Sequence, residues 1–336
     1  MTPPPSEPQR FTPGRTVLYA AILFCLFFGA LELILRLVGV SPAPRPRILL
    51  RSRDVDITFP FMRPDPELFW SPRPGFRGEF LGRSVAINSL GLRGPEPAAR
   101  KRGRRVVCFG DSITFGYGVG DDETYPRALG RRIAERQVEV VNAGVTGYTT
   151  HQVVGLLARL APVIQADVAT FCIGWNDGTR RPLDDRDYGR RLAAASSTDG
   201  ALDKLYLYRA MKSLYVRAAA GRPDAARTER VPPDQYRQNL ASLVRECRKR
   251  EIRPVFVALP HRKRASDLPP GSPYPDLLRS IAAELRVPLI EARDLTLDSP
   301  LPDNERFFID SLHLSPEGHE RMAVELAEKL EALGLI

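Results

Sequence analysis

The chain has 336 residues, 43% of them hydrophobic and 26% charged, and a formal net charge of +9. This is the composition of an ordinary globular protein, long enough for one large domain with its own core, and it excludes a disordered or fibrous class. The basic excess is arginine scattered on both sides of an apolar run and in later loops, without interleaved aromatics, which argues against a nucleic-acid module and fits a solvated surface near an anionic membrane. Cys25, Cys108, Cys172 and Cys247 form no CxxC or Cys/His spacing, so they read as small core residues rather than metal ligands.

Residues 1–15 are proline-rich and predict a disordered tail. Residues 16–40 contain LYAAILFCLFFGALELILRLVGV, long enough for a membrane-spanning helix of roughly 20 residues. Glu32 and Arg36 lie four apart and can pair on such a helix. The run exceeds the roughly 7–15 apolar residues of a signal peptide. Pro44 after Ser41-Pro-Ala43 disfavours cleavage, and Phe24 before Cys25 breaks a lipobox, so an uncleaved anchor is expected. Arg45, Arg47, Arg51 and Arg53 after the run outnumber Arg10 and Arg15 before it, which alone would place the large domain in the cytoplasm, although that rule weakens for long domains.

Residues 41–103 read as an ordered but irregular connector rich in Pro, Arg and Gly, carrying Phe69, Trp70, Phe76 and Phe80, with Ser84–Asn88 as a candidate edge strand. From Arg105 the pattern becomes strands alternating with helices. Val106–Phe109, Val138–Val141, Val168–Gly174, Pro254–Leu259 and Pro288–Ile290 are short apolar runs without alternation, as in strands covered on both faces. Tyr236, Leu240, Leu243 and Cys247 form one helical stripe, and Met322, Leu326, Leu330 and Leu333 another. The alternation predicts a parallel sheet with helices on both faces. Residues 178–232 interrupt it as an insertion; its helical stretch, Leu202 to Val216, is read as packing on the core, with a lid over the substrate as the alternative.

In VVCFGDSITFG, Ser112 falls just beyond the end of the first strand of that pattern, where open parallel sheets place their sites, and before a helix expected near Thr124. A serine nucleophile needs a base, an orienter for the base, and donors for the oxyanion. Of the four histidines, His151 opens a helical segment, His261 lies in a basic loop and His319 sits inside the last helix. His313 follows Asp310 by three residues, just before a helix announced by Ser315 as N-cap and Pro316 as first residue. That loop can place Asp310 on one ring nitrogen and Ser112 on the other; a surface turn is the plainer alternative. Gly147 in VVNAGVTGYTT and Asn176 in IGWNDG can supply donors, although both are also ordinary turn residues.

Gly110-Asp111-Ser112, Gly147 in NAGVTG, Gly174-Trp-Asn176-Asp177 and Asp310-Ser-Leu-His313 resemble, in order, the four blocks of the SGNH or GDSL hydrolase family, over residues 104–336. The resemblance implies a flavodoxin-like three-layer α/β/α sandwich on a five-stranded parallel sheet, matching the strand count read above. It implies Ser112 as nucleophile, His313 as base, Asp310 as its orienter, and Ser112, Gly147 and Asn176 as oxyanion donors, with no metal or organic cofactor. INSLGLRGPEP resembles segments ahead of the catalytic domain in membrane-anchored bacterial members, where that domain faces the extracytoplasmic side. The expected activity is hydrolysis of small acyl esters of a saccharide or lipid near the membrane. An O-acyltransferase using the same residues and a non-catalytic binding or assembly module are the alternatives.

Overall fold

The computed structural model describes residues 13–38, 51–52, 55–56, 59–199, 205–208, 210–211, 227–262, 273–296 and 304–336. Most of the expected tail and much of the stretch from Leu202 to Val216 lie outside these residues. The chain divides into two units, residues 1–45 with 194–224, and residues 46–193 with 225–336.

In the smaller unit, helix α1 (Pro13–Leu37) is 25 residues with a mean hydropathy of 2.4 in its most apolar window, long and apolar enough to cross a membrane. Its Glu32 accepts from Arg36 at 2.8 Å, the pair expected from their spacing. Glu32 also accepts the N–H groups of Tyr206 and Leu207, both at 2.9 Å. The described part of the 202–216 stretch therefore groups with α1 in the smaller unit.

The larger unit is built on five strands: β7 (Arg105–Gly110), β8 (Glu139–Gly144), β9 (Val168–Cys172), β12 (Arg253–Val257) and β13 (Leu289–Ile290). They run parallel in the order β13-β12-β9-β7-β8, in the register Val106 opposite Val140 and Val168. Every residue of β7 is buried, as the unbroken apolar run Val106–Phe109 predicts for those four. Val107 and Phe109 face α4 (Thr150–Ile164), α6 (Pro233–Lys249) and α7 (Tyr274–Leu285) in one core layer. Val106 and Cys108 face α3 (Tyr125–Arg132) and α8 (Pro316–Ala332) in the other. The fold is thus a three-layer α/β/α sandwich, and its chain order switches direction between β7 and β9, where such sheets open a crevice. The stripe on α8 is buried at Met322, Leu326 and Leu330 but not at Leu333, which lies past the helix end at 44% exposure.

Ahead of β7, a two-residue pair, β1 (Arg51–Ser52) and β2 (Val55–Asp56), precedes two hairpins. These pair β3 (Met62–Asp65) with β4 (Phe69–Pro72), and β5 (Arg77–Phe80) with β6 (Arg83–Ala86). Of the candidate edge strand at 84–88, Ser84, Val85 and Ala86 pair in this second hairpin, and Ile87 bridges Arg93, which lies in turn opposite Asn142 of β8. Phe59, Phe61, Trp70 and Phe80 are buried in the same layer as Phe109 and Phe171, so this stretch belongs to the core.

Candidate active site

The turn at Gly110-Asp111-Ser112 is shaped by close packing. A Cβ on Gly110 would strike Thr114 Oγ1 and lie 2.6 Å from the Cys172 carbonyl, and one on Gly144 would strike the Phe115 backbone nitrogen. Glycine at both strand ends lets the short helix α2 (Ser112–Phe115) lie directly on the sheet. Gly110 is needed for this approach, not for a left-handed turn; that conformation falls at Gly116, φ 88°, which ends α2. Asp111 caps α2 by accepting the Ile113 N–H at 3.0 Å. Its complete burial pushes the carboxyl up to about 6 against the opposing effects of that N–H and of His313. Ser112 opens α2, a four-residue helix absent from the sequence reading, and the helix expected near Thr124 is α3, with Thr124 as its N-cap.

Asp310 and His313 lie in a tight loop before α8, closed by the Ile309 N–H on the His313 carbonyl at 2.9 Å and by the bridge of Phe308 opposite Leu314. Ser315 caps α8 by accepting the Gly318 N–H at 3.1 Å. Asp310 Oδ1 accepts the backbone N–H groups of Leu312 and His313 at 2.8 and 2.7 Å, while Oδ2 lies 2.7 Å from His313 Nδ1. Partial burial alone would raise the Asp310 carboxyl, but the His313 ring and these N–H groups hold it down at about 2. His313 Nε2 lies 2.9 Å from Ser112 Oγ. With Asp310 ionised, Nδ1 carries the ring proton and Nε2 is left to accept from the serine. The Tyr117 ring stacks on the imidazole at 4.2 Å, a contact absent from the sequence reading.

Gly147 follows β8 at φ 80°. Among the described residues, no acceptor bonds to the N–H of Ser112 or of Gly147. Asn176 opens a 3-10 turn after β9, and its amide reaches the Tyr148 carbonyl at 3.0 Å and the Asp111 carboxylate at 3.3 Å. The blocks read from the sequence are thus joined: Asn176 to Asp111 beside Ser112, and to the residue after Gly147. The remaining histidines stand apart from this chain of contacts. His151 stacks on Phe69 at 5.8 Å, and His261 accepts at its carbonyl from Asn304 at 3.1 Å. His319 is sealed, takes the Tyr125 N–H on Nδ1 at 3.1 Å and is held neutral, down to about 3, by burial first and then by Arg93 and His313.

Two buried arginines complete the surroundings. Arg93, in the INSLGLRGPEP stretch, donates to the Phe115 and Gly116 carbonyls at 2.8 and 2.6 Å and so caps the C-terminal end of α2. Arg230 donates to the Gly147 carbonyl at 2.8 Å and pairs with Asp185 at 2.9 Å. The sequence reading assigned neither; the run of Gly-Leu-Arg-Gly was the one signal that could have drawn attention to Arg93.

A model of the GDSL-like Lipase/Acylhydrolase family matches residues 108–321, well over half of the chain. Solved structures similar to this chain include the lipase/acylhydrolase from Enterococcus faecalis, 18% identical over 68% of this chain and 96% of that one, TM-score 0.45. Also similar are the psychrotrophic esterase EstA from Pseudoalteromonas sp., 14% identical over 68% and 98%, TM-score 0.44, and a lipolytic protein of the G-D-S-L family from Veillonella parvula DSM 2008, 15% identical over 67% and 97%, TM-score 0.42. Among curated proteins there is no match. The chain belongs to the GDSL-like lipase/acylhydrolase family and is a serine ester hydrolase of that type.

Proposed function

We propose that the chain is a membrane-anchored esterase that cleaves small acyl esters of a saccharide or lipid through Ser112, His313 and Asp310. The observation that carries this reading is the unbroken relay from Ser112 Oγ to His313 Nε2 at 2.9 Å and from His313 Nδ1 to Asp310 Oδ2 at 2.7 Å. Ser112 Oγ attacks the ester carbonyl and its proton passes to His313 Nε2, with the imidazolium stabilised by Asp310. The oxyanion takes the free N–H groups of Ser112 and Gly147. It also takes one amide hydrogen of Asn176, whose 3.3 Å bond to Asp111 is the longer of its two and the one that yields. Collapse of the intermediate breaks the ester C–O bond, and the alcohol leaves with the proton from His313. Water, deprotonated by the same ring, then attacks the acyl-enzyme and frees the acid and Ser112.

The anchor at residues 16–40 supports the choice of a substrate near a membrane, and the hydrolase domain at 104–336 follows on the extracytoplasmic side. The test is fluorophosphonate labelling of the full-length protein in detergent. Wild type is expected to label, and Ser112→Ala and His313→Ala to abolish labelling. A folded wild type that stays unlabelled, or a Ser112→Ala protein that still labels, would sink the reading.

A further inference from the structure

The amide that would meet the oxyanion at Gly147 is one end of the Thr146–Gly147 peptide; the other end is the Thr146 carbonyl. A trans peptide is planar, with N–H and C=O pointing opposite ways, so whatever fixes the carbonyl aims the N–H. Trp70 Nε1–H donates to the Thr146 carbonyl at 3.1 Å. The Trp70 carbonyl in turn accepts the Tyr148 O–H at 2.7 Å, so one residue grips the loop on both sides of Gly147. The next carbonyl, of Gly147 itself, is taken by Arg230, whose guanidinium lies 5.6 Å from the centre of the Trp70 ring. Trp70 is only 6% exposed and follows Phe69, a bulky residue held at φ 68°, where side chains of this kind are strained.

We propose that Trp70 is a positioning residue for ester hydrolysis: its indole N–H aims the Gly147 N–H at the oxyanion and, by polarising the shared peptide, makes it a stronger donor. The inference rests on the reading of Gly147 as an oxyanion donor. It places part of the catalytic apparatus in β4, ahead of the stretch 108–321 that matches the family. Hydrogen bonding by the indole, and not its bulk alone, is then the reason for tryptophan at this position.

The test is Trp70→Phe in the full-length protein, assayed on p-nitrophenyl acetate and normalised to the fraction of chains that fluorophosphonate labels at the end-point. Losing a donor outright costs about 10²- to 10³-fold; losing its support is expected to lower kcat about tenfold, with KM unchanged. The preference for the oxo ester over its thiono analogue should shrink as well, because a thioanion draws less on the same donors. A second variant, Arg230→Lys, keeps the charge opposite Asp185 but misplaces the donor to the Gly147 carbonyl, and should move kcat the same way by a smaller factor. It stands in if Trp70→Phe does not fold. Wild-type kcat per labelled site, or a change in KM alone, would overturn the proposal while Ser112→Ala still abolishes turnover. Full activity in Ser112→Ala would overturn the reading of the site and this inference with it.

Discussion

Arg93 and Arg230 are each all but sealed, at 3% and 1% exposure, Arg93 holding four backbone carbonyls and Arg230 the one of Gly147. They differ in what answers their charge. The carboxylate facing Arg93 is Asp121, with 22% of its side chain in solvent, and the other partners of Arg93 are the carbonyls of Phe115, Gly116, Ser84 and Val119. Arg230 faces Asp185, whose side chain is 5% exposed and also takes the Thr149 hydroxyl at 2.7 Å. One arginine therefore works as a helix-end cap at the edge of water, the other as half of a buried ion pair. For a buried pair, losing one partner is far more costly than the pair is worth, since the survivor keeps its charge and loses its water.

The comparison predicts unequal losses. Arg230→Ala is expected to destabilise the fold by about 3–5 kcal/mol, leaving the Asp185 carboxylate uncompensated. Arg93→Ala should cost less, about 2–3 kcal/mol, because Asp121 can turn to solvent while the carbonyls lose a charged donor. Thermal or urea denaturation of the two variants measures both, and equal losses would break the distinction. A pH-dependent effect concerns Asp177, fully buried beside Thr150 and near Arg230. Burial pushes its carboxyl up to about 7, whereas the unfolded chain ionises it near about 4. A raised carboxyl favours folding fully below the unfolded value, and that contribution is lost as pH rises through the folded one. Wild type should therefore lose stability relative to Asp177→Asn between about pH 4 and 7, and a flat difference would show that the carboxyl is already ionised when folded. The smallest effect is expected away from both arginines: Ser315→Ala removes the α8 cap, at about 1 kcal/mol by denaturation.

The two arginines also mark where sequence reading stops. The five sheet strands are legible because an apolar run covered on both faces needs no partner to be recognised. Ser112, Gly147, Asn176 and the Asp310–His313 pair are legible because each sits in a short local pattern at a strand or helix end. Arg93, Arg230 and Trp70 act across the chain: Trp70 reaches Thr146 over 76 positions and Arg230 reaches Gly147 over 83. No local periodicity encodes such contacts, and a buried arginine looks in sequence like the many exposed ones. Ser84–Asn88 reads as a candidate edge strand, but its partner, Arg77–Phe80, is not legible, since alternation identifies a strand and not its neighbour.

The two ends of the stretch 178–232 are fastened to each other. Beyond the Asp185–Arg230 pair, two residue pairs of β10 (Arg180–Arg181) and β11 (Thr228–Glu229) join its outgoing and returning chains, and the Val231 N–H closes on the Asp177 carbonyl at 3.1 Å. Closing a longer loop on a fixed stem costs only about 0.6 kcal/mol for each doubling of its length. The chain beyond this stem can accordingly lengthen, shorten or be exchanged at little thermodynamic expense to the hydrolase. A short stem of this kind separates the fold of the hydrolase from the length of the chain it carries.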